Sequence, residues 1–290
     1  MIIVVVGPTG VGKTKLSVEL AKKYNAEIIN ADSMQVYKGL DIATAKIKEH
    51  EKEGVAHHLF DICNVDETYT VFDYQKDCRS KIEEISNRGK NVIIVGGTGL
   101  YIRAALYDYR FKEEGNLNDY DELTNQELLD RIKNYDSDCN IHINNRKRLI
   151  RLLNKYDNDL ITEQVGNNPI YKFILIGLTT DRDTLYEKIN SRVDVMVKEG
   201  LIEEAKCLYD KHIYTKAIQT AIGYKELYPY FEGKNSLDVS LELIKKNSRH
   251  YAKRQYTFFK HQFDEINWIE TNYKDFSKTV DSAINIIEGD

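Results

Sequence analysis

The stretch Ile2-Ile3-Val4-Val5-Val6-Gly7-Pro8-Thr9-Gly10-Val11-Gly12-Lys13-Thr14 decides the fold. Five consecutive β-branched residues suit a strand buried on both faces, the kind found in parallel sheets. The glycine-rich run after them is a complete P-loop, and Leu16, Leu20 and Tyr24 continue it as a helical pattern. In such a loop Gly7, Gly10 and Gly12 let backbone N–H groups curl round phosphate oxygens, with Pro8, Thr9 and Val11 between them. The helix N-terminus adds positive potential, Lys13 a point charge and Thr14 a hydroxyl for Mg²⁺. Gly7 to Thr14 is therefore the candidate diphosphate- or nucleotide-binding segment.

Working outward, Ala26–Asn30, Val92–Val95 and Phe173–Leu178 read as further buried strands. Helical stretches lie between them, so the expected architecture is an α/β P-loop NTPase-like parallel sheet flanked by helices. Residues 109–169 break the alternation. Glu113 to Asp121 is polar and Gly/Asn-rich and leads into a helical stretch at Glu127–Lys133, so 109–169 reads as a helical insert in a core made of 1–108 and 170–290. Thr180 with Asp183 looks like a capping box for a helix with the stripe Leu185, Ile189, Val193, Met196 and Val197, ended by Gly200. From Ser236 to Phe263 the pattern is helical again.

The 290 residues carry 41 Lys and Arg against 46 Asp and Glu, a net charge of −5, with 42% hydrophobic residues. That composition excludes a disordered chain, and no apolar run approaches the roughly 18 residues of a membrane helix. Ile2–Val6 lacks a charged leader and a cleavage site, so a cytoplasmic protein with no membrane partner is expected. Its size and charge are compatible with a monomer. Cys63, Cys78, Cys139 and Cys207 are too scattered for a metal pair and read as reduced packing residues. His57-His58 lacks acid or cysteine at ligand spacing and reads as structural.

A P-loop nucleotide hydrolase usually ends a later strand in a carboxylate that helps hold Mg²⁺. Here that strand runs into Gly96-Gly97-Thr98-Gly99, which suits close approach of a phosphate or nucleotide, or simply a turn into a helix. A carboxylate instead follows the second strand, in Asp32-Ser33-Met34-Gln35-Val36-Tyr37. Parallel strands deliver their C-terminal ends to one rim, so Asp32 should face the P-loop across the ligand crevice, as a base beside a diphosphate. The plainer reading makes Asp32 a turn or capping carboxylate, with Ser33 the better cap. Arg192 borders an apolar helical stripe, from which a long side chain can reach the rim. Two acid-free basic segments offer nucleic-acid contacts despite the net charge: Arg146, Lys147, Arg148 and Arg151, and the stretch Lys245–His261. In the second, Arg249, Lys253, Tyr256 and Lys260 fall on one helical face that mixes cations with an aromatic ring, as unpaired RNA requires. A solvated charged face is the alternative.

Taken together, the P-loop, Asp32–Tyr37, Asp41-Ile42-Ala43-Thr44-Ala45-Lys46, Val95–Thr98, Ile222-Gly223-Tyr224-Lys225-Glu226 and Lys253-Arg254-Gln255 closely resemble the tRNA isopentenyltransferase family, over residues 3 to about 262. The resemblance implies transfer of a dimethylallyl group from dimethylallyl diphosphate, with Mg²⁺, to the N6 amine of the adenine 3′ of the anticodon. It makes Asp32 the base, with Lys13, Thr14 and Arg192 acting on the diphosphate. It places Asp32, Ser33, Met34, Gln35 and Thr98 on the tRNA. It adds Lys147, Arg148, Arg151, Gly223, Tyr224, Lys225, Arg249, Lys253, Arg254, Gln255, Tyr256 and Lys260 as contacts to the anticodon stem-loop. Against the family pattern, Glu113–Asp138 is shorter than usual, Asn144-Asn145 replaces Asn-Asp, and an arginine at the insert's start has no clear counterpart. A C-terminal zinc finger is not expected, as in the bacterial type. The competing functions are a P-loop small-molecule kinase or ATPase, motivated by Gly7–Thr14 alone, and a non-catalytic tRNA-binding protein, motivated by the shortened insert.

Overall fold

The computed structural model describes residues 1–111, 118–157 and 168–289; residues 113–117 of the polar stretch read above lie outside them. In chain order the elements are β1 (Ile2–Val6), α1 (Lys13–Lys23), β2 (Ala26–Asn30), β3 (His57–His58), α2 (Val71–Asn87), β4 (Asn91–Val95) and α3 (Gly99–Leu106). After them come α4 (Asn125–Tyr135), α5 (Arg146–Asp157), β5 (Ile174–Thr179), α6 (Arg182–Lys198), α7 (Leu201–Asp210), α8 (Lys216–Thr220), α9 (Tyr228–Phe231), α10 (Leu237–Gln262), β6 (Asn267–Glu270) and α11 (Phe276–Glu288). Among the described residues the strands form one sheet in the order β3-β2-β4-β1-β5-β6, and every pairing is parallel.

Both faces of this sheet are covered, which is why its central strands are apolar without alternation. Ile2, Val4 and Val6 point to one side, where α2, α3 and the end of α10 supply Tyr74, Ile82, Ile102 and Phe259. Ile3 and Val5 point to the other, where α1 and α11 supply Leu16, Leu20 and Ala283. A further cluster joins the segment Val36–Leu40 to α6, α7, α8 and the first half of α10 through Val193, Leu201, Ile218 and Ile244.

The chain divides into two units, Met1–Tyr107 with Pro169–Asp290, and Asp108–Asn168. The smaller one packs α4 on α5 around Leu128, Ile132, Leu149 and Leu153. Thr124 and Glu127 form a reciprocal capping box at the start of α4.

Four expectations are corrected. Strands β3 and β6 have no sequence signature: one has two residues and the other four, too few for a periodic pattern. Helix α6 is capped by Asp181, whose carboxylate accepts the Thr184 N–H at 2.9 Å, because Asp181 and not Thr180 immediately precedes the first helical turn. Ser33 caps no helix, since a turn follows it. All four cysteines are free, and Cys63 and Cys78 are buried, but Cys207 is exposed and packs no core.

Candidate active site

The rim formed by the C-terminal ends of β1, β2 and β4 opens into a cavity of about 860 Å³. Thr9, Gly10, Gly12, Lys13 and Thr14 line it, together with Asp32, Ser33, Met34, Gln35, Arg192, Gly223, Lys225, Arg254 and Gln255. Strand β4 lies between β1 and β2, so the P-loop and Asp32 stand two strand spacings apart, about 10 Å. They line one cavity, and Gly96 and Gly97 after β4 line it between them.

Those glycines are also required by the fold itself. A Cβ on Gly96 would lie 2.2 Å from the Ala31 carbonyl oxygen, and one on Gly97 would lie 1.9 Å from Gln255 Nε2. They permit close approach of the protein's own backbone and of α10, and both still line the cavity.

In the P-loop, Gly12 combines a φ of 90° with a flank on which an added Cβ would sit 2.8 Å from the Phe276 ring, so only glycine fits there. Lys13 Nζ donates to the Pro8 carbonyl at 2.8 Å, and the half-buried Arg192 donates to Thr9 Oγ1 at 2.8 Å. The two cations sit close enough to disturb each other. Burial, then Arg192, bring the Lys13 ammonium down to about 7, against a smaller opposing pull from Asp32. Burial lowers the Arg192 guanidinium too, and Asp32 again opposes it. Asp32 moves up, chiefly by burial; the Met34 N–H that its Oδ1 accepts at 2.9 Å, Lys13, the Gln35 N–H and Arg192 hold it back. Asp32 is thus both the turn carboxylate of the plainer reading and a carboxylate of the crevice wall. Thr98 Oγ1 accepts the Ser33 N–H at 3.0 Å, which fixes this turn to the end of β4.

The Lys13 shift has a pH consequence. Between about pH 7 and its ordinary value near 10.5, the unfolded chain holds a proton that the folded protein releases, so this group makes stability rise with pH across that window. An anion bound at Lys13 reverses the shift. Diphosphate binding at about pH 8 is expected to take up close to one proton, seen as a calorimetric heat that scales with buffer ionisation enthalpy; a buffer-independent heat would contradict it.

The remaining candidates divide. Tyr224 is fully buried and donates its hydroxyl to Glu204 Oε1 at 2.7 Å; Glu204 also accepts the N–H groups of Asp41, Ile42 and Ala43. Its place is to hold the Asp41–Ala45 loop beside the cavity. Gln255 is buried, with both ends of its amide bound to the protein. Arg249 donates to Asn190 at 2.6 Å, tying α10 to α6. Tyr256 packs at 5.2 Å on Trp268 and carries Lys260 over its ring at 4.7 Å. Lys253 and Arg254 are exposed. In the smaller unit Lys147, Arg148 and Arg151 are exposed, whereas Arg146 binds the carbonyls of Tyr120 and Leu123 and is structural. His58 pairs with buried Glu27 at 2.6 Å, and His57 binds the Val55 carbonyl at 2.8 Å while lining the far end of the cavity.

Sequence reading misses the outer brace of the P-loop. Thr271 Oγ1 donates to the Val11 carbonyl at 2.9 Å and the Tyr273 hydroxyl to the Gly10 carbonyl at 3.1 Å, both from the segment after β6. No motif marks that segment, and the unforeseen edge strand β6 is what carries it there. Tyr251, half-buried in the cavity wall on α10, is also missed because it sits outside the basic face.

A parallel sheet with a P-loop at its rim, two clustered cations and a carboxylate across the crevice defines a P-loop-like α/β protein with a charged cavity at the C-terminal ends of its strands. The model of the IPP transferase family matches residues 35–262, and the chain belongs to that family. It is 46% identical to the tRNA dimethylallyltransferase of Anoxybacillus flavithermus over 300 residues, which span 99% of this chain and 96% of that one. It is 48% identical to the tRNA dimethylallyltransferase of Bacillus subtilis over 289 residues, 93% of this chain and 90% of that one. Among solved structures, the full-length tRNA isopentenylpyrophosphate transferase of Bacillus halodurans superposes with a TM-score of 0.79 at 42% identity, covering 99% of this chain and 95% of its own. A eukaryotic dimethylallyltransferase acting on tRNA gives a TM-score of 0.80 at 26% identity, with coverage of 99% and 79%.

Proposed function

We propose that this enzyme transfers the dimethylallyl group of dimethylallyl diphosphate to tRNA, at the exocyclic N6 amine of the adenine 3′ of the anticodon. The observation that carries the reading is the sharing of one cavity by Asp32 and the phosphate loop with Lys13 and Arg192. Family membership and the names of near full-length relatives support it.

The chemistry follows from the charges. An adenine amine is a weak nucleophile because its lone pair is delocalised into the ring. As nitrogen attacks the allylic carbon, its N–H proton passes to Asp32, whose raised pKa suits a base. The C–O bond breaks and its electron pair leaves on the diphosphate, where Lys13, Arg192 and the P-loop N–H groups meet the growing charge. Met34, Val193, Met196 and Ile222 line the same cavity and offer the dimethylallyl group an apolar wall. The adenine must leave the loop stack to reach Asp32, which costs a few kcal/mol that basic and aromatic contacts offset.

Among the described residues no group of three His, Cys, Asp or Glu could hold a metal. The Thr14 hydroxyl on the cavity wall, with phosphate oxygens and water, fits Mg²⁺, which keeps several waters and needs few protein ligands. When bound, Mg²⁺ would neutralise charge on the leaving diphosphate.

Among the described residues no helix is long and apolar enough to cross a membrane. We place the enzyme in the cytoplasm as a monomer, with the Asp108–Asn168 unit as a grip on the stem-loop. The deciding experiment is mass spectrometry of anticodon-loop fragments after incubation with dimethylallyl diphosphate. A dimethylallyl increment on the adenine after the anticodon is expected, and no increment in any tRNA would sink the reading. ATP should raise the melting temperature less than dimethylallyl diphosphate does; the opposite ranking would favour a kinase.

Neutralising the exposed Lys253 and Arg254 together is expected to weaken stem-loop binding and flatten its log–log salt dependence by up to about 2, one for each RNA phosphate that is no longer neutralised. An unchanged slope returns these residues to a solvated face.

A further inference from the structure

We infer that Gln255 acts on the diphosphate site as a positioning residue for the phosphate loop, rather than as a contact to RNA. Its neighbours Lys253 and Arg254 are exposed, but Gln255 is only 5% exposed and points the other way. Its Oε1 accepts the N–H of Thr9 at 2.9 Å, and its Nε2 donates to the Gly97 carbonyl at 3.1 Å. One amide therefore ties the P-loop to the chain at the end of β4.

Three further features converge on this link. Gly97 has no room for a Cβ because the Gln255 amide fills that space, so the glycine and the glutamine are matched. Thr9 is held a second time through its hydroxyl by Arg192. Finally, the loop's outer carbonyls, Gly10 and Val11, are taken by Tyr273 and Thr271. With the Thr9 N–H and hydroxyl and the Gly10 and Val11 carbonyls all bound by the protein itself, the loop is held in one conformation by contacts that need no ligand. Such preorganisation strengthens anion binding, because the loop need not be ordered by its ligand.

The inference rests on the reading of Gly7–Thr14 as a diphosphate site, and the test separates the two. Binding of magnesium pyrophosphate and of an unmodified anticodon stem-loop would be measured on the intact protein and on Gln255→Met, which keeps the length of the side chain and removes both hydrogen bonds. Pyrophosphate affinity is expected to fall by about 10-fold, and the KM for dimethylallyl diphosphate to rise in step, with stem-loop affinity changed by less than about 2-fold. Gly97→Ala, whose new methyl displaces the Gln255 amide, should reproduce this pattern. The Thr9 amide of the unaltered protein should exchange slowly with solvent deuterium without ligand.

Weakened stem-loop binding with normal pyrophosphate binding would make Gln255 an RNA contact and overturn the inference, as would two unchanged affinities. If Gln255→Met does not fold, Gly97→Ala and the exchange rate of Thr9 decide, a fast-exchanging Thr9 amide counting against it. Failure of the unaltered protein to bind pyrophosphate at all would remove the diphosphate reading, and this inference with it.

Discussion

Replacing Asp32 by alanine is expected to lower single-turnover prenylation by at least about 100-fold, at the low end of what a positioned base contributes. Stem-loop affinity should stay nearly unchanged. Alanine alone is ambiguous, because the same carboxylate accepts the Met34 N–H and shapes the turn. Asp32→Asn resolves this: its amide oxygen can still accept that N–H, but it cannot take the proton of the adenine amine. If Asp32 is the base, asparagine should be as inactive as alanine while melting like the unaltered protein. Asparagine that retains turnover would assign Asp32 to the turn alone. In the unaltered enzyme, burial raises the Asp32 carboxyl, so the acidic limb of the rate profile should lie above the ordinary aspartate range.

Arg192→Ala is expected to cost about 10²- to 10³-fold in turnover, the usual consequence of removing one donor aimed at developing negative charge. Arg192→Lys should recover only part of this, because a lysine cannot hold Thr9 Oγ1 and a phosphate oxygen with one planar fork. A second readout isolates the electrostatics. Arg192 is one cause of the low Lys13 pKa, so its removal lets the Lys13 ammonium rise, and diphosphate binding should then take up less than the full proton. Full activity in Arg192→Ala, or undiminished proton uptake, would place the arginine outside the diphosphate chemistry.

The parts of the site legible in the sequence are those written as local patterns. The P-loop is contiguous, and the strand before it and the helix after it are set by residues within a dozen positions. Asp32 is legible through topology, since parallel strands bring their C-terminal ends to one rim. Thr180 mimics a cap because a capping box and a plain N-cap one residue later look alike without the backbone. The four-residue strand β6 is invisible because so few residues carry no period, and with it goes the brace from Thr271 and Tyr273.

A lone sequence also shows which residue types a helix carries, but not which way each one points. On α10 the periodic basic face is plain, yet one member of that face, Arg249, turns to α6, and elsewhere on the same helix Gln255 reaches the phosphate loop and Tyr251 the cavity wall. Gly96 and Gly97 read as room for a ligand; the atoms that fill that room belong to Ala31, about 65 residues away, and to Gln255, about 158 away. The chain's local chemistry thus determined a parallel sheet with a phosphate loop and a nearby carboxylate. Only the tertiary structure decided which side chains stand in that crevice and which ones hold it open, because hydrogen bonds and close packing between distant segments depend on distances that residue order does not encode.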